Sequence, residues 1–345
     1  MGEVWVWLWC QVLDKCVRIG YNEDSTRKET TMEYTVKEGF FPSANGESQI
    51  YYRILTPRAV CVGGVIFLHG MRSYSRVYES FALDLLEKGY SVMLYDQAGH
   101  GRSVGEGESF GTFAAKDGDV VLTKDLESAV SLMRKRFRHM PLFLYGHSLG
   151  SFVARTYIAA FPDGVDGAIF SGSAERMEFS FFAKRKLKKL AKKEGRKPSA
   201  AMEKLMLGDY HEKFKEPGGW VTTNPAAISG NDPLAGHPMC ADAFYDMAQL
   251  LLFISSDNWL DNIPKGMPML FLSGARDPLG GMGEGIKALV EDMTDRDASD
   301  VSYRIYEGEK HETLGSLSDA KVRLDIIEWL EEKRKDKVAL DTMGF

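Results

Sequence analysis

Gly146-His147-Ser148-Leu149-Gly150 sets a serine between two glycines at the spacing G-x-S-x-G. That is the pattern of a nucleophile held on a sharp strand-to-helix turn. A serine hydroxyl is a weak nucleophile until a base takes its proton. Where such an elbow is served by a triad, the acid and then the histidine follow the serine along the chain. Of the seven histidines only His211, His237 and His311 come after Ser148. His311, in "YEGEKHETLG", stands just past an apolar strand pattern and before the last helix pattern, where a base would reach the elbow. His211 and His237 fall in an inserted segment, away from the sheet edge. Neighbouring side chains at a tight turn diverge, so His147 reads as structural. Asp277, in "MPMLFLSGARDPLGG", is the acid at a strand end between the two, and would orient His311 and stabilise its imidazolium. Its other reading is an Asp that forms a turn before Pro278. The oxyanion of such chemistry needs two backbone N–H groups. Leu149 follows the nucleophile, and Met71 in "FLHGMRSYS" follows the third strand, which makes these two the candidate donors.

These residues need elements to carry them. "PLFLY" reads as a buried strand stopping at Gly146, and "LGSFVARTYIAAF" as the helix after Ser148. Strand and helix approach so closely at such an elbow that Gly146 and Gly150 must lack side chains. "MEYTVKEGFF" and "SQIYYRIL" read as strands, the second alternating in polarity. "GGVIFLHG", "YSVMLYD", "DGAIFSG" and "MPMLFLSG" are short apolar runs of strands buried on both faces. "VSYRIYEG" is a further strand. Helical spacing joins Val77, Phe81 and Leu85, then Leu122, Leu126, Val130, Met133 and Phe137, then Val322, Ile326 and Leu330. Buried strands alternating with amphipathic helices predict an α/β fold with a mainly parallel sheet. The alternation breaks between Ser173 and Cys240, an insertion of helices and loops. The expected organisation is an extension at 1–31, a core at 32–172 and 241–345, and an inserted segment at 173–240. "MGEVWVWLWC" lacks the features of a signal peptide, and one expectation is that the natural chain begins at Met32.

The chain has 345 residues, 44% hydrophobic and 27% charged, with a formal charge of −6. This is the composition of a globular protein and argues against a nucleic-acid binder. Cys10, Cys16, Cys61 and Cys240 are scattered, which fits a reducing, cytoplasmic compartment. No cysteine or histidine cluster has metal-ligand spacing, and "GGMGEGIK" is no phosphate cradle, so neither metal nor cofactor is expected.

Together, "HGMRSYSRVY", "YDQAGHGRSVGEGE", "GHSLGS", "SGARDPLGG" and "GEKHETLG" resemble the α/β-hydrolase superfamily. They are most similar to its monoacylglycerol lipase, lysophospholipase and serine-aminopeptidase-like group, over roughly Met32 to Lys335. The resemblance implies an α/β-hydrolase fold with a helical cap at 173–240. It gives the triad roles to Ser148, Asp277 and His311, and the oxyanion roles to Met71 and Leu149. It implies a serine hydrolase that cleaves small acyl esters, such as monoacylglycerols or lysophospholipids, through an acyl-enzyme intermediate. An aminopeptidase would instead need an acidic pocket, to which Glu203 or Asp209 could contribute. A third reading is a non-catalytic lipid-binding protein on the same fold. One departure is that "HETLGSLSD" keeps Glu312 but lacks the Leu-Asn-Glu run that follows it in many relatives.

Within the insertion, Lys184 to Lys193 hold seven basic residues in ten, with Ala183, Leu187, Leu190 and Ala191 on one helical face. This is either a solvated face or a patch for an anionic lipid surface or an anionic substrate. Phe179, Phe181, Phe182, Met202, Met206 and Trp220 are candidates for an acyl pocket or for the core of the cap.

Overall fold

The computed structural model describes residues 15–17, 33–216, 218–227 and 232–343. Its strands are β1 (Lys15–Val17), β2 (Tyr34–Pro42), β3 (Gln49–Pro57), β4 (Gly63–Leu68), β5 (Tyr90–Tyr95), β6 (Leu142–His147), β7 (Gly167–Ser171), β8 (Met269–Gly274) and β9 (Val301–Tyr306). They form one sheet in the order β1-β2-β3-β5-β4-β6-β7-β8-β9. β1, β2 and β3 run antiparallel at one edge, and β5 through β9 are parallel. The expected strand at "MEYTVKEGFF" is β2. β1 precedes it, pairing Lys15 with Val36. Residues 1–14 and 18–32, and with them the expected start at Met32, lie outside the described residues.

The helices are α1 (Glu79–Glu87), α2 (Gly118–Arg136), α3 (Leu149–Ala160), α4 (Phe181–Glu194), α5 (Ala200–Lys213), α6 (Ala241–Ile254), α7 (Asp257–Asn262), α8 (Glu284–Asp295) and α9 (Asp319–Met343). Successive strand residues point to opposite faces, which divides the core in two. On β4, Val65 and Phe67 pack with Phe81, Leu85, Val322 and Ile326 of α1 and α9. Ile66 and Leu68 pack with Leu122, Phe152, Phe244 and Ile286 of α2, α3, α6 and α8. This two-sided burial is why these strands are continuous apolar runs.

One register differs from the sequence reading. Val77 is exposed, because Ser75–Tyr78 is a tight 3-10 turn and the α-helix starts only at Glu79. The tighter turn points Tyr78 inward in its place.

Between β7 and α6 the described chain runs through α4, α5 and a 3-10 turn at Pro225–Ala227. Ser180 and Ser199 cap α4 and α5, their hydroxyls accepting from the Ala183 and Met202 N–H groups. A bridge between Pro198 and Cys240 joins the two ends of this region.

Candidate active site

β4, β6, β8 and β9 all end on the same side of the sheet, the side where open parallel sheets hold their ligands. Ser148 follows β6 near the sheet centre, with β4 and β7 as neighbours. Its backbone has φ 51° and ψ −120°, a conformation that costs a residue with a side chain about 1–3 kcal/mol. The surroundings hold it there. Its N–H donates to the Ser171 carbonyl at 3.0 Å, and its own carbonyl accepts from Ser151 and Phe152 in the first turn of α3.

The two flanking glycines meet the steric demand predicted for them. A Cβ on Gly146 would lie 2.5 Å from the Gly150 carbonyl oxygen, and one on Gly150 would lie 2.3 Å from that of Leu68. Both obstacles are backbone, so neither can rotate away. Gly150→Ala is therefore expected to lower stability by about 3 kcal/mol or more, read as the shift in a urea-unfolding midpoint. An unchanged midpoint would mean that strand and helix have slack here.

Asp277 and His311, 34 residues apart in the chain, are in contact. Asp277 is fully buried. Its Oδ1 accepts from the Leu279 N–H at 3.0 Å, and its Oδ2 lies 3.1 Å from His311 Nδ1. Neither the Ser148 hydroxyl nor His311 Nε2 has a hydrogen-bond partner among the described residues, and both residues line one cavity. Gly172 admits the histidine loop: a Cβ there would sit 2.8 Å from the His311 carbonyl oxygen. Neither the Met71 nor the Leu149 N–H donates a hydrogen bond among the described residues.

The "HGMR" loop is tied to the "DQAGHGRS" loop by two buried histidines. His69 Nε2 accepts from the Gln97 N–H at 3.0 Å, and its Nδ1 donates to the Gly70 carbonyl at 2.8 Å. His100 Nε2 accepts from the Arg72 N–H at 3.2 Å, and its Nδ1 donates to the Ala98 carbonyl at 3.1 Å. Each ring is thus neutral, with its proton on Nδ1. Burial pulls His69 down to about 4 and His100 down to about 3. The unfolded chain takes up these protons first. Stability from this pair is intact above about pH 6.5 and is lost as pH falls from there through 4. His100→Asn should flatten the fall in urea midpoint between pH 6.5 and 4 relative to the parent. Parallel curves would refute this account.

His147 is not the ring that Asp277 holds, but it belongs to the site. Its ring lies 4.9 Å from that of His311, and its Nε2 is 3.0 Å from Glu312 Oε2. Burial works against its charge, but the Glu312 carboxylate outweighs burial and raises its pKa. His211 lies nearer than expected: α5 carries its ring into the cavity that Ser148 lines, about half exposed and 3.9 Å from Glu203. His237 stacks on Phe110 instead.

Trp220 had no signal beyond being an aromatic residue in the insertion. Its ring packs 4.7 Å from that of His311. Around it the insertion is laced to the histidine loop. Val221 accepts from the Glu312 N–H at 2.7 Å, the Thr223 hydroxyl donates to Glu309, and the buried Lys310 ammonium donates to the Gly219 carbonyl at 2.6 Å.

Two cavities meet at Ser148, Met71 and Trp220. The first, about 240 Å³, is walled by apolar side chains including Phe152, Phe179, Met206 and Leu251. Asp209 lies at its exposed margin. The second, about 460 Å³, carries polar groups, among them Arg72, Glu203, His211, Glu312 and Arg323. Its arginines are both paired, Arg72 with Glu203 at 2.7 Å and Arg323 with Asp84 at 2.7 Å. Of the proposed acyl-pocket residues, Phe179, Met206 and Trp220 line the apolar cavity, while Met202 is buried in the core. Phe181 and Phe182 are 70% and 81% exposed, because the inward face of α4 is taken by Leu187 and Ala191.

Known proteins share both the fold and the sequence pattern. The chain is 25% identical to a thermostable carboxyl esterase from Bacillus coagulans, solved in complex with glycerol, with a TM-score of 0.81. That likeness covers 87% of this chain and 99% of the esterase. A monoglyceride lipase of Saccharomyces cerevisiae superposes with a TM-score of 0.64 at 20% identity, over 86% and 94% of the two chains. Over 114 residues the chain is 31% identical to the monoglyceride lipase of Homo sapiens, 33% of this chain and 34% of that one. It is 30% identical over 159 residues to a Bacillus subtilis protein, YqkD, 42% and 48% of the two. The matched segments therefore span less than half the length of these curated relatives. The family model "Serine aminopeptidase, S33" matches residues 60–317, and the chain belongs to that family of α/β-hydrolases.

Proposed function

We propose that the protein is a serine esterase that cleaves neutral acyl esters, such as monoacylglycerols, through an acyl-enzyme intermediate. The observation that carries this reading is the contact of Asp277 with His311 beside a strained Ser148 in one cavity. In this reading His311 Nε2 takes the Ser148 proton as the hydroxyl oxygen attacks the ester carbonyl. The free N–H groups of Met71 and Leu149 hold the oxyanion. Collapse of the tetrahedral intermediate breaks the ester C–O bond, and His311 returns its proton to the leaving alcohol. The same ring then deprotonates water, which attacks the acyl-serine and releases the carboxylic acid. Asp277 keeps the proton of His311 on Nδ1 and stabilises the imidazolium. Residues 173–240 serve as the cap.

The two cavities divide the substrate. The smaller one suits an acyl chain, and the larger one, whose wall is also mostly apolar but carries the charged groups, suits the leaving group. Both arginines of the larger cavity are neutralised by carboxylates. Binding a phosphate there would break an ion pair, which favours a neutral alcohol over a lysophospholipid headgroup. The pairing of Glu203 with Arg72 likewise leaves it unsuited to a substrate ammonium, which disfavours the aminopeptidase reading. The esterase and lipase relatives support the ester reading.

A fluorophosphonate probe should label the protein at Ser148, and hydrolysis of monoacylglycerols should exceed that of lysophospholipids and aminoacyl amides of similar size. Labelling without ester turnover would sink the substrate reading, and absence of labelling would sink the mechanism.

A further inference from the structure

Cap helix α4 presents a face that the proposed chemistry does not use. Lys184, Arg185, Lys186, Lys188, Lys189, Lys192 and Lys193 are all exposed, and none forms an ion pair among the described residues. Elsewhere on the chain, exposed cations commonly have carboxylate partners, as Arg58 has Glu33 and Arg296 has Asp257 and Asp261. This concentration of positive charge occurs on a chain whose formal charge is −6.

The same helix begins with Phe181 and Phe182, 70% and 81% exposed, their rings 5.8 Å apart. At about 100° per residue, both fall on the outward side that carries Lys188, Lys189 and Lys192. The inward side is Leu187 and Ala191. Two residues before this pair, Phe179 lines the apolar cavity that reaches Ser148.

We infer that the outward face of α4 docks the protein on an anionic lipid surface, with Phe181 and Phe182 entering the bilayer interface and the lysines meeting its headgroups. A row of cations alone would also suit an acidic polymer. Two adjacent exposed phenylalanines on that row gain by burial in a lipid interface, and the formal charge of −6 argues against a nucleic acid as the polyanion. The inference does not rest on the role proposed for Ser148, since binding is measured without turnover.

The test is co-sedimentation of the full-length Ser148→Ala protein with phosphatidylcholine vesicles, with and without phosphatidylserine. Binding is expected only with phosphatidylserine, and should weaken steeply as salt rises. Lys188→Gln with Lys192→Gln should weaken it roughly 30-fold, since each cation near such a surface contributes about a five-fold factor. Phe181→Ser with Phe182→Ser should weaken it about 10-fold or more at constant charge. These side chains are exposed, and an unchanged melting temperature would show that the variants fold. Equal sedimentation with both vesicles, no effect of the lysine pair, or binding to polyuridylate RNA but not to vesicles would each overturn the inference.

Discussion

Ser148→Ala is expected to lower kcat/KM for a monoacylglycerol by about 10⁴-fold or more, because it removes the atom proposed to form the acyl-enzyme. The loss should come with no loss of fold. Ser148 Oγ has no hydrogen-bond partner among the described residues to forfeit, and alanine keeps the Cβ. A companion variant separates a nucleophile elbow from an ordinary turn. The values φ 51° and ψ −120° are those of the first central position of a type II′ turn, which glycine adopts freely. Ser148→Gly removes about 1–3 kcal/mol of strain and adds up to about 1 kcal/mol of chain entropy. It should therefore be as stable as the parent or more so, while equally inactive. Stability rising as activity vanishes is the signature of strain kept for function. Ser148→Ala with full esterase activity would refute the mechanism, and a Ser148→Gly protein less stable than Ser148→Ala would refute the strain argument.

The parts of this site legible in the sequence are those set by local rules. A strand buried on both faces must be an unbroken apolar run, so β4 through β8 could be read off directly. A backbone crossing too tight for a Cβ demands glycine, which marked Gly146 and Gly150. Chain order and strand ends then singled out Asp277 and His311, which the structure brings into contact. What could not be read is what the insertion does when it folds over the sheet. The Arg72–Glu203 pair joins residues 131 apart, and no periodicity encodes such a meeting. Trp220 looked like any core aromatic, and only its seat against His311 gives it a place in the site. Composition also put Phe179, Phe181 and Phe182 in one class. Phe179 lies before the helix and walls the cavity, whereas Phe181 and Phe182 open its exposed face, and that boundary depends on where Ser180 caps α4. The same holds at Val77, where a 3-10 turn rather than an α-turn exchanges inside for outside.

Asp277→Asn is expected to lower kcat by about 10⁴-fold while leaving the fold intact. The reason lies in how the two carboxylate oxygens are used. Oδ1 accepts from the Leu279 N–H and Oδ2 faces His311 Nδ1. An asparagine has one acceptor oxygen, and the Leu279 N–H can only donate. The amide oxygen must therefore stay with Leu279, and the NH₂ group is turned toward His311. Two donors cannot share that contact, so the ring has to move its proton to Nε2 and accept at Nδ1. A histidine carrying its proton on Nε2 presents a donor toward Ser148 and cannot take the serine proton. The side chain keeps its size and its bond to Leu279, so melting temperature should change little, and KM should change far less than kcat. Fluorophosphonate labelling of Ser148 should slow in proportion to kcat, since phosphonylation draws on the same proton transfer. An Asp277 that merely shapes the turn before Pro278 predicts the opposite: Asp277→Asn would label and turn over at near the parent rate, because asparagine serves such turns as well as aspartate.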